Sequence, residues 1–171
     1  MTGGKHLILV GLPGSGKSTV GKHLAELLSL PFTDLDEVIE TEAGLEIPQF
    51  FVQKGEAAFR DAESAALRRA AAQPSQIIAT GGGTILREEN RLLMQQSGCV
   101  FFLDRSTDSI SKTLDYVNRP TLQGTTLTDM TALRRPLYLS CADYIITDEE
   151  IRGTAKACAE LWRKDHEVSH H

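Results

Sequence analysis

The residues Gly11–Thr19 carry a pattern that is suited to holding phosphate groups. They read GLPGSGKST and satisfy G-x-x-x-x-G-K-[ST] between an apolar segment and a predicted helix. Glycines in such a loop let successive backbone N–H groups face phosphate oxygens, and the start of a helix adds partial positive charge. Lys17 is expected to reach the β- and γ-phosphates, and the Ser18 hydroxyl to bind magnesium. The stretch predicts a nucleoside triphosphate site made of Gly14, Ser15, Gly16, Lys17, Ser18 and Thr19.

Two carboxylates follow in the segment PFTDLD, which resembles a second strand. On an extended segment Asp34 and Asp36 would point the same way, at the strand end where ligands gather in an open α/β sheet. One carboxylate would then serve a magnesium ion and the other a substrate hydroxyl. Alternatively, Asp36 caps a helix that begins at Glu37. The spacing alone leaves both interpretations open.

Several arginines are candidates for binding an anion. In GEAAFRDAE, Arg60 and Glu63 are spaced as an i, i+3 pair on a predicted helix, and a surface ion pair is the simpler interpretation. Arg119 lies in a polar segment, and the pattern RRPLY offers Arg134 and Arg135. Spacing alone does not choose between these last two.

The stretch IIATGGGT, residues 77–84, contains three consecutive glycines at the end of an apolar run. An apolar run typical of a buried strand ends in Thr80 and three glycines, Gly81, Gly82 and Gly83. Consecutive glycines indicate that something approaches the backbone too closely for a side chain. The alternative is an ordinary glycine-rich turn between a strand and a helix.

The elements that must position these residues alternate between strands and helices. This alternation predicts an α/β fold, with a parallel sheet covered on both faces. The predicted strands are HLILVG (6–11), PFTDLD (31–36), QIIA (76–79), CVFFL (99–103) and YIIT (144–147). The first predicted helix follows the glycine loop and runs to about residue 29, and the others span about 36–42, 55–72, 87–97, 107–114, 129–140 and 149–164. The polar segment 115–129 lacks periodicity, which is typical of a functional lid or a disordered loop.

The composition excludes several classes of protein. With 171 residues, 41% hydrophobic and 24% charged, the chain resembles one soluble globular domain. A net charge of −5 disfavours binding to nucleic acids or acidic membranes. Cys99, Cys141 and Cys158 are odd in number and widely spaced, so we expect buried thiols in a reducing, cytoplasmic compartment. Residues 170–171 are interpreted as the remnant of a purification tag.

Taken together, the motifs resemble those of the shikimate kinase family. The resemblance covers residues 11–147, with the motifs in the family's order and spacing. They are GLPGSGKST, FTDLD, IPQFF followed by GEAAFR-x-x-E, TGGG, the Arg-Pro of the polar segment, RRPLY and ADYIIT. The resemblance implies one three-layer α/β/α domain, 1–171, with a five-stranded parallel sheet like that of nucleoside monophosphate kinases. It also implies a lid at about 115–126 and a substrate-binding helical region at about 34–63.

The implied reaction transfers the γ-phosphoryl group of ATP to the 3-hydroxyl of shikimate, a step of chorismate and aromatic amino acid biosynthesis. The implied catalytic residues are Lys17, Asp36 and Arg119, and the family's R-x-P-L-Y pattern selects Arg134 for binding the substrate carboxylate together with Arg60. Phe51 and Phe59 would pack on the ring, and the glycines 81–83 would offer backbone N–H groups to its oxygens. Magnesium would be held by Ser18 and Asp34, and ATP also by Lys112 and Arg119. We expect a monomer.

Two positions depart from the family pattern. Thr121 follows the lid Arg-Pro where a leucine is common, and Lys112 occupies the place of an arginine that stacks on adenine. The rival interpretations are a related kinase of another hydroxylated acid, such as a gluconate kinase, and a nucleotide-binding module without transfer activity.

Overall fold

The computed structural model describes residues 5–113 and 126–168. Within this part, five parallel strands form one sheet in the order β2-β3-β1-β4-β5. The strands are β1 (His6–Val10), β2 (Phe32–Asp34), β3 (Ile77–Ala79), β4 (Gly98–Leu103) and β5 (Tyr144–Ile146). The helices are α1 (Lys17–Leu28), α2 (Leu35–Ala43), α3 (Ile47–Ala71), α4 (Glu88–Ser97), α5 (Thr107–Thr113), α6 (Leu127–Cys141) and α7 (Ile151–Val168), and Thr84–Leu86 form a 3₁₀ turn. The predicted three-layer α/β/α fold is confirmed.

The side chains of the central strand β1 point alternately to the two faces of the sheet, and helices cover both faces. In β1, Leu7 and Leu9 join a cluster with residues of α1 and α7, including Trp162. Ile8 and Val10 face the opposite way, into a cluster with residues of α2, α3, α4 and α6. Successive side chains of a strand point to opposite faces, so a strand that is apolar throughout must be covered on both.

Helix α3 begins earlier than the sequence predicted. The expected start was Gly55, whereas the helical stretch starts at Ile47 and contains a kink at Gly55. Glu46 and Gln49 form a capping box at its start, and Pro48 occupies the first turn, where a missing N–H costs nothing. Gly55 has φ 86° and ψ 170°, a conformation nearly restricted to glycine. The helical region before the kink is thus a separately oriented piece.

The three cysteines are buried and free, as predicted. Burial raises the pKa of Cys141 to about 11 and that of Cys158 to about 12. Burial, reinforced by Asp143, also raises the pKa of Cys99. These thiols therefore stay protonated near neutral pH and act as small apolar residues. Among the described residues, no helix is both long enough and apolar enough to cross a bilayer.

The kink yields a prediction about stability. Gly55→Ala should lower the free energy of unfolding by about 1–3 kcal/mol, because alanine disfavours this φ/ψ region. A β-carbon there would meet no atom within 4 Å, so the cost is conformational and not steric. Gly44→Ala is the matched control, since Gly44 also has open space around it but adopts the milder left-handed helical conformation (φ 66°, ψ 24°). Urea denaturation measures both variants, and a Gly55→Ala cost no larger than that of Gly44→Ala would contradict this account.

Candidate functional site

The phosphate-binding loop connects β1 to α1 at the carboxyl edge of the sheet. Gly16 has φ 90° and caps α1, so the first N–H groups of the helix, which have no partner within it, face the loop. The Lys17 side chain is buried and its Nζ donates to the carbonyl oxygens of Gly11 (2.7 Å) and Leu12 (2.9 Å). The cation is thus held within the loop that is expected to surround the phosphates.

Asp34 joins the phosphate-binding loop to helix α2. The Ser18 hydroxyl donates to Asp34 Oδ2 in a short hydrogen bond. Asp34 Oδ1 accepts the backbone N–H groups of Asp36 (2.9 Å) and Glu37 (3.4 Å), so Asp34 is the N-cap of α2. The prediction that Asp36 caps this helix was wrong by two residues.

Asp36 lies in the first turn of α2 and not on an extended segment, so the expected side-by-side arrangement of Asp34 and Asp36 was also wrong. The chain becomes helical at Leu35, whose buried side chain packs in the core beside the sheet. A β-carbon at Gly81 would lie 2.8 Å from Asp36 Oδ1. The first helical turn therefore brings the Asp36 carboxylate to the glycine stretch that follows β3.

Arg60 and Glu63 form a buried ion pair. Arg60 Nη1 donates to Glu63 Oε1 at 2.5 Å, and the two side chains are only 10% and 2% exposed. Glu63 Oε2 accepts the Thr84 hydroxyl at 3.1 Å, which engages the second carboxylate oxygen. The interpretation as a surface ion pair was wrong. A pair of this kind has lost its hydration and must be compensated by its neighbours.

Arg134 brings a second guanidinium group to the same place. It projects from α6 and is 6% exposed, and burial lowers its pKa, with the nearby Arg60 adding to the effect and Tyr138 opposing it. The Tyr138 hydroxyl donates to the carbonyl oxygen of Gly82 at 2.6 Å, which ties α6 to the glycine stretch. Arg135 instead lies at the surface, where its Nη2 pairs with Asp104 Oδ2 at 2.9 Å. The structure therefore brings Arg134, not Arg135, to Arg60.

Arg60 also lies 3.5 Å from Glu56, but that side chain is 65% exposed, so the two buried arginines share one buried carboxylate and the buried part of the cluster has an excess of positive charge. Such a cluster is suited to an anion, and planar guanidinium groups match the two oxygens of a carboxylate. The aromatic rings of Phe51 and Phe59 lie beside it, with centroids 4.8 Å apart, and the guanidinium carbon of Arg60 lies 5.6 Å from the Phe59 ring centroid. The arrangement offers charge and apolar surface together.

The three glycines leave room for side chains of the protein itself. A β-carbon at Gly81 would also lie 2.8 Å from Glu63 Oε2, and one at Gly83 would overlap the guanidinium group of Arg60. At Gly82 it would lie 2.6 Å from Cδ of Pro13 in the phosphate-binding loop. The sequence predicted a close approach but attributed it to a ligand. Contact of these backbone N–H groups with a ligand stays a prediction.

A cleft of about 810 Å³ joins several of the predicted residues at the carboxyl edge of the sheet. Its walls include Gly14, Gly16, Lys17, Ser18, Thr19, Asp34, Asp36 and Gly82. The glycine stretch connects this cleft to the arginine cluster, because Gly82 lines it and Gly83 lies against Arg60. Arg119, the Lys112 side chain and most of the predicted lid, including Thr121, lie outside the described part.

Sequence reasoning missed two residues that the structure places here. Glu63 was recognised as an arginine partner but not as the buried counter-charge. Arg105 lines the cleft and was not considered. Its position two residues after the apolar strand CVFFL was a usable signal, because ligands gather at the carboxyl ends of parallel strands.

Comparison with known proteins gives one consistent answer. The family model described as shikimate kinase matches residues 13–163. A shikimate kinase of Paracidovorax citrulli is 44% identical over 154 residues, covering 86% of this chain and 84% of that protein. One of Pseudomonas aeruginosa strain LESB58 is 43% identical over 150 residues, covering 85% of this chain and 87% of that protein. The solved structure of the Acinetobacter baumannii shikimate kinase in complex with shikimate superposes with a TM-score of 0.90 at 34% identity, covering 96% of each chain.

Proposed function

The chain belongs to the shikimate kinase family and catalyses the ATP-dependent phosphorylation of shikimate, and from that premise we propose how its residues divide the work. The phosphoryl group passes to the 3-hydroxyl, within aromatic amino acid biosynthesis. The observation that carries the assignment is the buried excess of guanidinium charge at Arg60 and Arg134, next to a phosphate-binding loop. Shikimate has the matching chemistry, with one carboxylate and hydroxyl groups on a small ring.

On the donor side, Lys17 and the backbone N–H groups of the loop bind the phosphates of ATP. Phosphoryl transfer depends on positioning and charge neutralisation, which a fixed cation and oriented N–H groups supply. Ser18 and Asp34 would hold Mg²⁺, and the metal would neutralise the β- and γ-phosphate oxygens. Because the Ser18 hydroxyl proton points to Asp34, its lone pairs are available to a cation.

Ser18 and Asp34 are suited to a Mg²⁺ ion that keeps several of its water ligands. Among the described residues, no group of three or more His, Cys, Asp or Glu side chains is arranged to hold a metal. Mg²⁺ in kinase sites commonly takes one or two protein oxygens, with waters and substrate phosphates completing its shell. Ser18 directly and Asp34 through water would meet that need.

On the acceptor side, Asp36 would orient the attacking hydroxyl and accept its proton. Arg60 and Arg134 would bind the carboxylate, while Phe51 and Phe59 would pack on the apolar ring edges. Gly81, Gly82 and Gly83 would donate backbone N–H groups to acceptor or phosphate oxygens. Asp36 lies beside Gly81, and Arg60 lies beside Gly83. The glycine stretch therefore connects the proposed base to the proposed carboxylate-binding site.

The remaining roles rest on resemblance to the family. Arg119 would neutralise the transferring phosphoryl group, Lys112 would contact adenine, and the lid at about 115–126 would close over the site and exclude water. We also propose a cytoplasmic monomer, supported by three buried free cysteines and a net charge of −5. Light scattering would contradict the monomer if it gave a mass well above 18.7 kDa.

A coupled assay of ADP release tests the assignment. ATP should be consumed with shikimate but not with gluconate or without an acceptor, and a chelator should abolish the reaction in a way that Mg²⁺ restores. Lys17→Ala should reduce turnover by roughly 10³-fold, because a positioned cation contributes about that much in phosphoryl transfer. Equal rates with gluconate would show that the acceptor is misassigned.

The arginine cluster gives a prediction about binding. Arg60→Ala or Arg134→Ala should weaken shikimate binding at least ~30-fold, because removing one partner of a desolvated charge pair costs roughly 2–5 kcal/mol. ATP affinity should change little, and calorimetry measures both. Arg135→Ala removes the same charge from the surface pair with Asp104 and is the control. A larger loss for Arg135→Ala than for Arg134→Ala would reverse the assignment of the two residues.

The substitution Asp36→Asn tests whether Asp36 acts in the chemical step or only stabilises the fold. If Asp36 accepts the hydroxyl proton, turnover should fall about 10²–10⁴-fold, the usual contribution of a general base. Stability should fall by no more than about 1 kcal/mol, because Asp34 keeps the helix cap and a negative charge in the first helical turn contributes about that much. Glu37→Gln removes the neighbouring first-turn charge and should leave turnover near wild type. Steady-state kinetics that place Asp36→Asn within a fewfold of wild type would exclude the catalytic role.

A further inference from the structure

Arg105 is a half-buried cation that lines the cleft, and none of the roles described above involves it. It lies two residues after the end of β4, and its side chain is only 14% exposed. Its Nη1 lies 3.7 Å from the position that a β-carbon would occupy on Gly16, the last loop residue before α1. A guanidinium group therefore lies beside the phosphate-binding loop, on the cleft wall.

The surroundings of Arg105 hold it in place without using all its donors. Glu149 Oε2 lies 3.6 Å from Nε, which is too long for a hydrogen bond, and the buried Nε finds no acceptor among the described residues. Glu149 is itself anchored, since its Oε1 accepts the backbone N–H of Ser106 at 3.1 Å. Hydrogen bonds from the Ser109 side chain and the Ser106 backbone lower the pKa of Glu149, and the positive charge of Arg105 adds to the effect, so Glu149 stays anionic. The side chain is thus oriented by one carboxylate and retains donor capacity at the cleft.

The order of the strands in the sheet indicates which part of ATP would lie near Arg105. Asp36 and Gly81 follow β2 and β3, on one side of the central β1. Arg105 and Ile151 lie after β4 and β5, on the other side of β1. The loop after β1 holds the phosphate chain between them. Since the transferred phosphoryl group must face the acceptor, the part of the nucleotide that leaves must extend towards the β4–β5 side.

We propose that Arg105 is a nucleotide-binding residue, which Glu149 positions to contact the nucleoside diphosphate part of ATP on the β4–β5 side of the phosphate-binding loop. The inference rests on ATP as the phosphoryl donor. Arg105 supplies a second cation on the side of the loop opposite Asp36. The apolar side chain of Ile151, whose Cδ1 lies 2.7 Å from the same β-carbon position on Gly16, borders this subsite. Because the leaving group keeps this contact throughout, the residue should act on nucleotide affinity more than on the chemical step.

Calorimetric titration with Mg·ADP in the absence of shikimate tests the proposal. Arg105→Ala should weaken ADP binding about 10-fold or more, as expected for losing charged hydrogen bonds. The Michaelis constant for ATP should rise by a similar factor while kcat changes little. Arg105→Lys keeps the positive charge but loses the planar guanidinium group, so its ADP affinity should lie between that of the wild type and that of Arg105→Ala. Because ADP binding needs no turnover, this result stands apart from the identity of the acceptor.

The control is Arg68→Ala, which removes the same charge from the exposed last turn of α3 and should leave ADP binding unchanged. A second titrant, pyrophosphate, locates the contact: a loss shared with pyrophosphate places it on phosphate oxygens, and a loss for ADP alone places it on the nucleoside. ADP affinity of folded Arg105→Ala within twofold of wild type overturns the proposal. An equal loss of shikimate affinity also overturns it, because it would indicate a general distortion of the site.

Discussion

The buried pair of Arg60 and Glu63 sets a condition that much of the acceptor side must satisfy. Two charges that have lost their hydration are costly, and their attraction offsets this cost only when geometry is good and the remaining polar atoms are bonded. Here the pair distance is 2.5 Å, and Thr84 donates to the second oxygen of Glu63. Arg134 then adds a positive charge that Glu63 cannot also neutralise. An added anion would offset this buried positive charge, so the charges that hold this part of the fold together are also the ones proposed to recognise the substrate.

This condition also explains the three consecutive glycines. Gly83 has φ −98° and ψ 0°, which any residue adopts, so its backbone conformation does not demand glycine. The demand is for space, because Asp36, Glu63 and Arg60 occupy the positions that β-carbons would take at Gly81 and Gly83. Gly82 meets Pro13 of the phosphate-binding loop in the same way. The glycine stretch is therefore where the base candidate, the anion cluster and the phosphate-binding loop come into contact.

The sequence predicted what was locally encoded and missed what depends on packing. The loop around Lys17 and the alternation of strands and helices are local signals, and both were right. The pairing of Arg60 with Glu63 was visible from their spacing, but its burial comes from α6 and the 3₁₀ turn, which are distant in the chain. The predicted extended conformation at Asp36 was wrong because the strand has only three residues and a helix begins at Leu35, a boundary that an apolar pattern cannot locate.

Asp34 shows why that boundary matters for function. Had the strand continued, Asp34 and Asp36 would have faced one ligand together. Instead, one oxygen of Asp34 caps the helix that carries Asp36, and the other accepts the Ser18 hydroxyl. The proposed metal ligand and the helical turn that carries the proposed base are therefore joined through one carboxylate. Asp34 thus holds both the Ser18 side chain of the phosphate-binding loop and the first turn of the helix that carries Asp36, and only Leu35 separates the two aspartates in the chain.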